Sequence, residues 1–458
     1  MKGFALTPPA LVDLMVAKLF SRRAPVPRDR LLDPGCGTGE FIAGVMRWCE
    51  AHERDVPSIV GIEQHSGRAA EARRRFAGVD KVEIRTADFL RPLSDRFDFI
   101  IGNPPYVAIT GLSSSERSRY RRDYETATGR FDLYTLFLEQ ALGVLAPQGR
   151  LVFITPEKYL YVDAAAATRR LLRTFDVQEL YFAPEDSFEG LVTYPIITTI
   201  EHSRPTGWMQ VRLRDGIERD VRVPSNGDSW LPAVMGGRQR RSGPTLADIC
   251  TRISCGVATG ADSVFVVPRD QVPRELASFA RDTVSGRQMA YADVPRPTHK
   301  ILMPYDNNGR LLEQSELGAL LLYLREPERR TKLLARTCVA TKPWYAFHET
   351  PPMREIRKVK LLCKDIGAQP HFAVDTSRRI VPRHSVYFAV PTTADVADDL
   401  CTYLNSAPAQ KWLAENCQRA AKGYLRLQSA VLKRLPIPGE FALTTPVRAE
   451  ADLVRQSA

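Results

Sequence analysis

The sequence predicts an α/β protein in two parts: a Rossmann-like, doubly wound parallel sheet over residues 1–203 and a mixed α+β domain over residues 245–458. Residues 204–244 read as a linker or inserted hairpin between them. Three observations support this. Short apolar strands alternate with helix-period segments through the first part, a glycine-rich turn follows the first strand, and the alternation stops after a stretch rich in Gly, Pro and Arg. At 458 residues the chain is also too long for one core.

Thr7-Pro8-Pro9 opens a helix whose Leu11, Leu14, Met15 and Leu19 fall at helical spacing, with Thr7 as the expected N-cap. Strands follow at 30–33, 58–63, 81–85 and 97–102, separated by helices at 41–49 and 67–76. The stripe Leu133, Phe137, Leu138, Leu142 predicts a helix over 130–145, which Pro147-Gln148-Gly149 ends. A strand at 151–155, a helix at 164–174 and strands at 177–182 and 194–200 then close the sheet edge. Ligands in such sheets lie at the carboxyl ends of the strands near the switch point, so the turns after strands one and four are expected to face one crevice.

A hydrophobic content of 44% and a charged content of 26% are those of a soluble globular protein. The net charge of +11 is uneven. Residues 1–203 carry 26 Lys+Arg against 27 Asp+Glu, whereas residues 204–458 carry 38 against 26. A neutral first part joined to a basic second part suits an anionic polymer held largely by the second. The eight cysteines show no CxxC spacing and no histidine cluster, so neither a metal site nor a disulfide framework is expected. Thr7-Pro8-Pro9, Asp13 and Lys18 break any signal-peptide core and no run approaches a membrane span, so a cytoplasmic protein is expected.

Two motifs carry chemistry. Asn103-Pro104-Pro105-Tyr106 follows the apolar strand that ends at Gly102. An amine conjugated to a ring or carbonyl is a poor nucleophile until its lone pair is localised. Two acceptors that each take one N–H achieve this and steady the growing positive charge. The Asn103 side-chain oxygen and the Pro104 carbonyl are candidates, and prolines 104 and 105 fix the backbone before substrate arrives. Tyr106 offers a face for stacking a base, worth roughly 1–3 kcal/mol. Upstream, Asp33-Pro34-Gly35-Cys36-Gly37-Thr38-Gly39 is a turn suited to a nucleoside cofactor but lacks the G-x-G-x-x-G spacing of dinucleotide sites. Glu63, ending strand two, is placed to accept from both ribose hydroxyls, and Asp88 from the cofactor's adenine amine. S-adenosylmethionine fits this set.

These residues resemble, over nearly the whole chain and in the same motif order, the gamma-class DNA adenine-N6 methyltransferases, most closely the TaqI-like branch. The resemblance implies a class I S-adenosylmethionine-dependent methyltransferase domain and a C-terminal target-recognition domain. It implies that Thr7 closes over the methionine end of the cofactor and that Asp33, Gly35, Gly37, Glu63, Asp88 and Phe89 bind it. Asn103 to Tyr106 looks like the catalytic tetrapeptide, and Asp132-Leu133-Tyr134 with Phe137-Leu138-Glu139 resembles the helix that follows it. Phe188 sits where the family places an aromatic against the flipped adenine. Ser285-Gly286-Arg287 and the segment Lys422 to Leu427 are similar to recognition-domain segments, which makes Arg287, Lys422 and Arg426 candidate DNA contacts.

Residues 110–129, rich in Ser and Arg, depart from the family pattern. They are expected to form a mobile loop that orders on the DNA backbone through residues such as Arg117 and Arg121. The implied partner is double-stranded DNA, with any cognate restriction endonuclease a separate protein and the chain a monomer. Two other classes stay open: a protein glutamine or RNA amino methyltransferase sharing Asn-Pro-Pro-Tyr, and a DNA-binding module with a decayed catalytic half. The chemistry alone permits cytosine N4 as well as adenine N6, and side-chain geometry in a groove, which sets the recognition sequence, is not written in the chain.

Overall fold

A nine-stranded sheet organises the first of two units, Met1–Arg238 and Gln239–Ala458. The computed structural model describes residues 6–188, 194–236, 243–289, 296–420 and 423–443. In chain order the first unit runs α1 (Pro9–Leu19), β1 (Arg30–Pro34), α2 (Glu40–Ala51), β2 (Ser58–Glu63), α3 (Ser66–Arg75), β3 (Val82–Thr86) and β4 (Phe97–Gly102). It continues with α4 (Ser114–Asp123), α5 (Leu133–Val144), β5 (Leu145–Pro156), α6 (Ala166–Leu172), β6 (Asp176–Phe182), β7 (Pro195–Glu201), β8 (Trp208–Arg212) and β9 (Glu218–Arg222).

The strand order is β3-β2-β1-β4-β5-β7-β6-β8-β9. Strands β1 to β5 pair in parallel, and β7 runs antiparallel to both β5 and β6. After β3 the chain returns to pair β4 with β1, Leu31 opposite Phe99 and Leu32 opposite Ile100. This is the switch point, and it sets the loops leaving β1 and β4 side by side. Alternation along the strands divides the core. Phe99, Ile101, Val152 and Ile154 face α1 and α2, while Leu32, Ile100, Leu151 and Phe153 face the side covered by α5.

The structure differs from expectation in several places. Thr7 is not the cap of α1: Pro8 occupies the N-cap position with no side-chain cap bond, and Pro9 supplies a φ suited to the first turn. The strands at the expected sheet edge are followed by two more. β8 pairs in parallel with β6, and β9 pairs antiparallel with β8, so the hairpin, one of the two readings of 204–244, lies at 208–222 and extends the same sheet. Residues 110–129 are not a loop but contain α4, capped by a reciprocal Ser113/Glu116 box. The helix buries Tyr120, and Tyr124 at its C-cap joins the same hydrophobic cluster. Its apolar face consists of two tyrosines four residues apart amid Ser and Arg, which hides the helical period.

The second unit is mixed α+β. Its strands are β10 (Cys250–Cys255), β11 (Val266–Pro268), β12 (Ala280–Val284), β13 (His299–Leu302), β14 (Lys360–Lys364), β15 (Ile366–Gly367) and β16 (Phe372–Asp375), followed by β17 (Val381–Pro382), β18 (Val386–Pro391), β19 (Gln418–Ala420) and β20 (Tyr424–Arg426). They form sheets ordered β10-β18-β14-β16, β11-β13-β12-β17 and β15-β20-β19. Among the described residues no helix is long and apolar enough to cross a membrane, and no cluster of His, Cys, Asp or Glu could hold a metal. All eight cysteines are free thiols.

Lys360 and Asp375, opposite each other on β14 and β16, form an ion pair with both side chains out of solvent. Asp375 also accepts from the Ser377 hydroxyl at 2.5 Å and the Ile380 amide at 3.3 Å. Removing one partner strands the other charge, whereas replacing both with apolar groups does not. Lys360→Met should therefore destabilise the second unit by about 3–5 kcal/mol, and Lys360→Met with Asp375→Leu by far less. Equilibrium urea unfolding of the full chain checks this, and equal losses in the two variants would contradict it.

Candidate active site

The loop after β1 is held by its neighbour strand. Gly35 and Cys36 both donate their amides to the Ile62 carbonyl, at 2.7 and 3.0 Å. Gly35 and Gly37 adopt φ of +87° and +57°, which side chains resist, so the turn needs glycine there. Gly37 then donates its amide to Glu63 Oε2 at 3.1 Å. Glu63 Oε1 accepts from the His65 amide at 2.7 Å and from Arg68 Nη2 at 2.8 Å. The acid at the end of β2 thus fixes the glycine turn at the end of β1.

Asn103 and Pro105, at the end of β4, line the same cavity of about 230 Å³ as Thr7, Gly35, Gly37, Glu63, Asp88 and Phe89. These eight residues were all expected in one site from the sequence. Asn103 Nδ2 donates to Thr7 Oγ1 at 3.1 Å, which leaves the oxygen as the accepting end of the amide. Thr7, read as a helix cap, instead orients this side chain across a gap of 96 residues in sequence. Beyond the tetrapeptide the backbone is tied down by Leu133 donating to Val107 at 2.8 Å and Ile109 donating to Phe131 at 3.2 Å.

Four other expected residues lie outside the cavity lining. Pro104 is buried. Tyr106 donates its hydroxyl to the Ile154 carbonyl at 3.4 Å and meets Phe188 edge to face, the ring centroids 6.4 Å apart. Burial pushes the Tyr106 phenol well above its usual range, so it stays neutral. Phe188 belongs to the hydrophobic cluster that includes Leu11 and Ile197, and so serves the core as well as flanking Tyr106. Asp33 is fully buried, and neither of its oxygens has a hydrogen-bond partner. Burial first, and then the Glu63 charge, raise its pKa well above the usual carboxyl value. Cys36 is likewise raised, by burial and then by Asp33 and Glu63.

Asp88 accepts the Leu90 amide on Oδ1 at 3.0 Å and Arg119 on Oδ2 at 2.9 Å. Leu133 and Phe137 of α5 form an apolar wall, with the Phe137 ring 5.3 Å from Phe89. Nothing local distinguishes this role, since both residues belong to the apolar stripe of the helix. Arg68 was also missed, because it stands among several arginines of similar pattern, and Arg119, read with Arg117, Arg121 and Arg122 as part of a loop ordering on the DNA backbone, pairs instead with Asp88. Arg117 lies half-buried and Arg121 exposed on α4, and Arg287 and Arg426 are exposed in the second unit. Lys422 lies outside the described residues.

The lining fits S-adenosylmethionine on chemistry. Its adenine amine and ribose hydroxyls are donors and its sulfonium and ammonium are cations, which suits a wall carrying Glu40, Glu63 and Asp88. A pyrophosphate facing the same acids would be repelled.

Residues 62–188 match the Eco57I restriction-modification methylase model, and residues 325–437 match the TaqI-like C-terminal specificity domain. Type II methyltransferase M.PaeR7I of Pseudomonas aeruginosa is 23% identical over 98% of this chain and 88% of that protein. M.XhoI of Xanthomonas vasicola is 24% identical over 89% and 86%, and M.TthHB8I of Thermus thermophilus is 31% identical over 40% and 41%. Among solved structures, the type IIL restriction-modification enzyme MmeI, in complex with DNA, superposes with a TM-score of 0.67 at 14% identity, over 93% of this chain and 64% of MmeI. In order along the chain, a region similar to the Eco57I restriction-modification methylase precedes one similar to a TaqI-like specificity domain, and the relatives similar over most of its length are type II methyltransferases.

Proposed function

We propose that the chain transfers a methyl group from S-adenosylmethionine to the N6 amine of an adenine extruded from double-stranded DNA. The single observation that supports this best is that Asn103 and Pro105 share one cavity with Gly35, Glu63 and Asp88. Bound against those acids, the cofactor supplies an electrophilic methyl on a sulfonium. The chain's own residues prepare the nucleophile. Thr7 holds the Asn103 amide nitrogen, so the side-chain oxygen accepts one N–H of the target amine while the Pro104 carbonyl accepts the other. Both acceptors withdraw the nitrogen lone pair from the ring, and no general base is needed. The surplus proton leaves to solvent.

Extruding a base costs a few kcal/mol, and stacking on Tyr106, worth roughly 1–3 kcal/mol, offsets part of it. Phe188, perpendicular to Tyr106, flanks the extruded base on this scheme. The region similar to the TaqI-like specificity domain supplies sequence choice, with Lys422 and the exposed Arg426 within it, and the exposed Arg287 ahead of it, as candidate contacts to duplex DNA. Arg117 and Arg121 on α4 are backbone contacts on the methylase side. The enzyme acts as a cytoplasmic monomer, and any cognate endonuclease is a separate protein. A protein glutamine or RNA substrate would leave the specificity region at 325–437 without a use.

Asn103→Ala should lower the turnover number by about a hundredfold or more while leaving S-adenosylhomocysteine affinity within about threefold of the parent. Digestion of treated duplex DNA to nucleosides, with N6-methyladenine as the expected product, and calorimetry of ligand binding give the two readouts. Lost ligand binding would mean that Asn103 belongs to the cofactor cradle, and N4-methylcytosine would move the reaction to another base.

Asp33 gives a pH signature. Its folded-state pKa is raised, so it favours the folded state below the ordinary carboxyl pKa of about 4 and costs stability as pH rises from there toward the folded value. Asp33→Asn should therefore gain stability relative to the parent as pH rises above the ordinary carboxyl pKa of about 4, by up to about 1.4 kcal/mol per unit. Unfolding midpoints measured over a pH series from there upward check this, and parallel curves for the two proteins would contradict it.

A further inference from the structure

We propose that Arg119 is a positioning residue for the cofactor's adenine: from helix α4 it fixes the Asp88 carboxylate so that Asp88 reads the exocyclic amine. The proposal rests on the cofactor assignment above and goes beyond it, since Arg119 itself does not line the cavity.

Four arginines stand close together on α4, and they do different things. Arg121 donates to the Gly129 carbonyl at 3.3 Å, and Arg122 pairs with its neighbour Asp123. Arg119 alone among them turns toward the cofactor wall, crossing 31 residues of sequence to reach Asp88 Oδ2 at 2.9 Å. Both side chains are less than a fifth exposed, so the pair is poorly screened. The guanidinium also lies 4.6 Å from the centre of the Tyr120 ring, which is packed in the core and limits where it can swing. The Ser113/Glu116 capping box fixes the start of the same helix.

The consequence falls on Asp88. One carboxylate oxygen accepts from the Leu90 amide and the other from Arg119, so donors on both sides set the plane of the group. Its further lone pairs are thereby aimed rather than free to rotate. A neutral N–H is a weak, directional donor, and it gains most from an acceptor whose orientation is already set. A ligand with a carbonyl oxygen in place of the amine would set lone pairs against lone pairs. Arg91, 3.8 Å from Asp88 and two-thirds exposed, cannot impose that geometry.

A structural staple would explain the same contact, and the two roles separate in ligand choice. Calorimetry on the full chain would compare S-adenosylhomocysteine with S-inosylhomocysteine, which carries oxygen in place of the amine. The parent is expected to prefer the amine by about tenfold or more. Arg119→Met should weaken the amine ligand about tenfold, leave the oxo ligand nearly unchanged and so erase the preference. Arg119→Lys should restore most of it. In an Asp88→Asn background Arg119→Met should have no further effect. Equal weakening of both ligands, or no change in either, would overturn the proposal while leaving the cofactor assignment intact. A parent chain that binds neither ligand would remove that assignment and this proposal together.

Discussion

The pairing of β1 with β4 is the constraint on which the site depends. With Leu31 opposite Phe99 and Leu32 opposite Ile100, the glycine turn that follows Asp33 and the tetrapeptide that follows Gly102 must leave the sheet side by side. A shift by one residue would exchange the two buried faces of β4, moving Phe99 and Ile101 off the α1/α2 side. The register is therefore held by the core rather than by the site. The chemistry inherits its geometry from hydrophobic packing.

On that frame the acids divide the work. Glu63 joins the end of β2 to the glycine turn through the Gly37 amide, and Asp88 joins the end of β3 to α4 through Arg119. Asp33 lies at the end of β1, fully buried, its oxygens without a hydrogen-bond partner and its pKa raised by burial. Three carboxyls within one unit thus have three environments: one held by amides and an arginine, one held between an amide and an arginine, and one shielded from water. The Asn103 amide, oriented by Thr7, completes the wall from the opposite loop.

Much of this was legible in the chain. The strand and helix alternation, the glycine turn and the order of Glu63, Asp88 and Asn103 are local patterns, and eight of the expected residues line one cavity. What was not legible depends on contacts between distant segments. Thr7 has the sequence signature of a helix cap, and only the fold brings it to Asn103. Arg119 looks like any member of a basic run until Tyr120 and Tyr124 bury one side of α4. The β8–β9 hairpin follows Gly- and Pro-rich sequence that reads as a boundary, because its pairing with β6 is non-local. Leu133 and Phe137 satisfy a helical stripe equally well as core or as cavity wall.

Methyl transfer requires that Asn103 face the reacting group of the bound cofactor. A crystal structure of the full chain with S-adenosylhomocysteine and a duplex carrying its target would test it most directly. The expected result has the extruded base's amine between the Asn103 side-chain oxygen and the Pro104 carbonyl. The ligand sulfur would lie on the far side of the transferred methyl's position, which itself lies within about 3.5 Å of the amine. A ligand sulfur directed away from Asn103, or an Asn103 side chain turned into the protein interior, would contradict it.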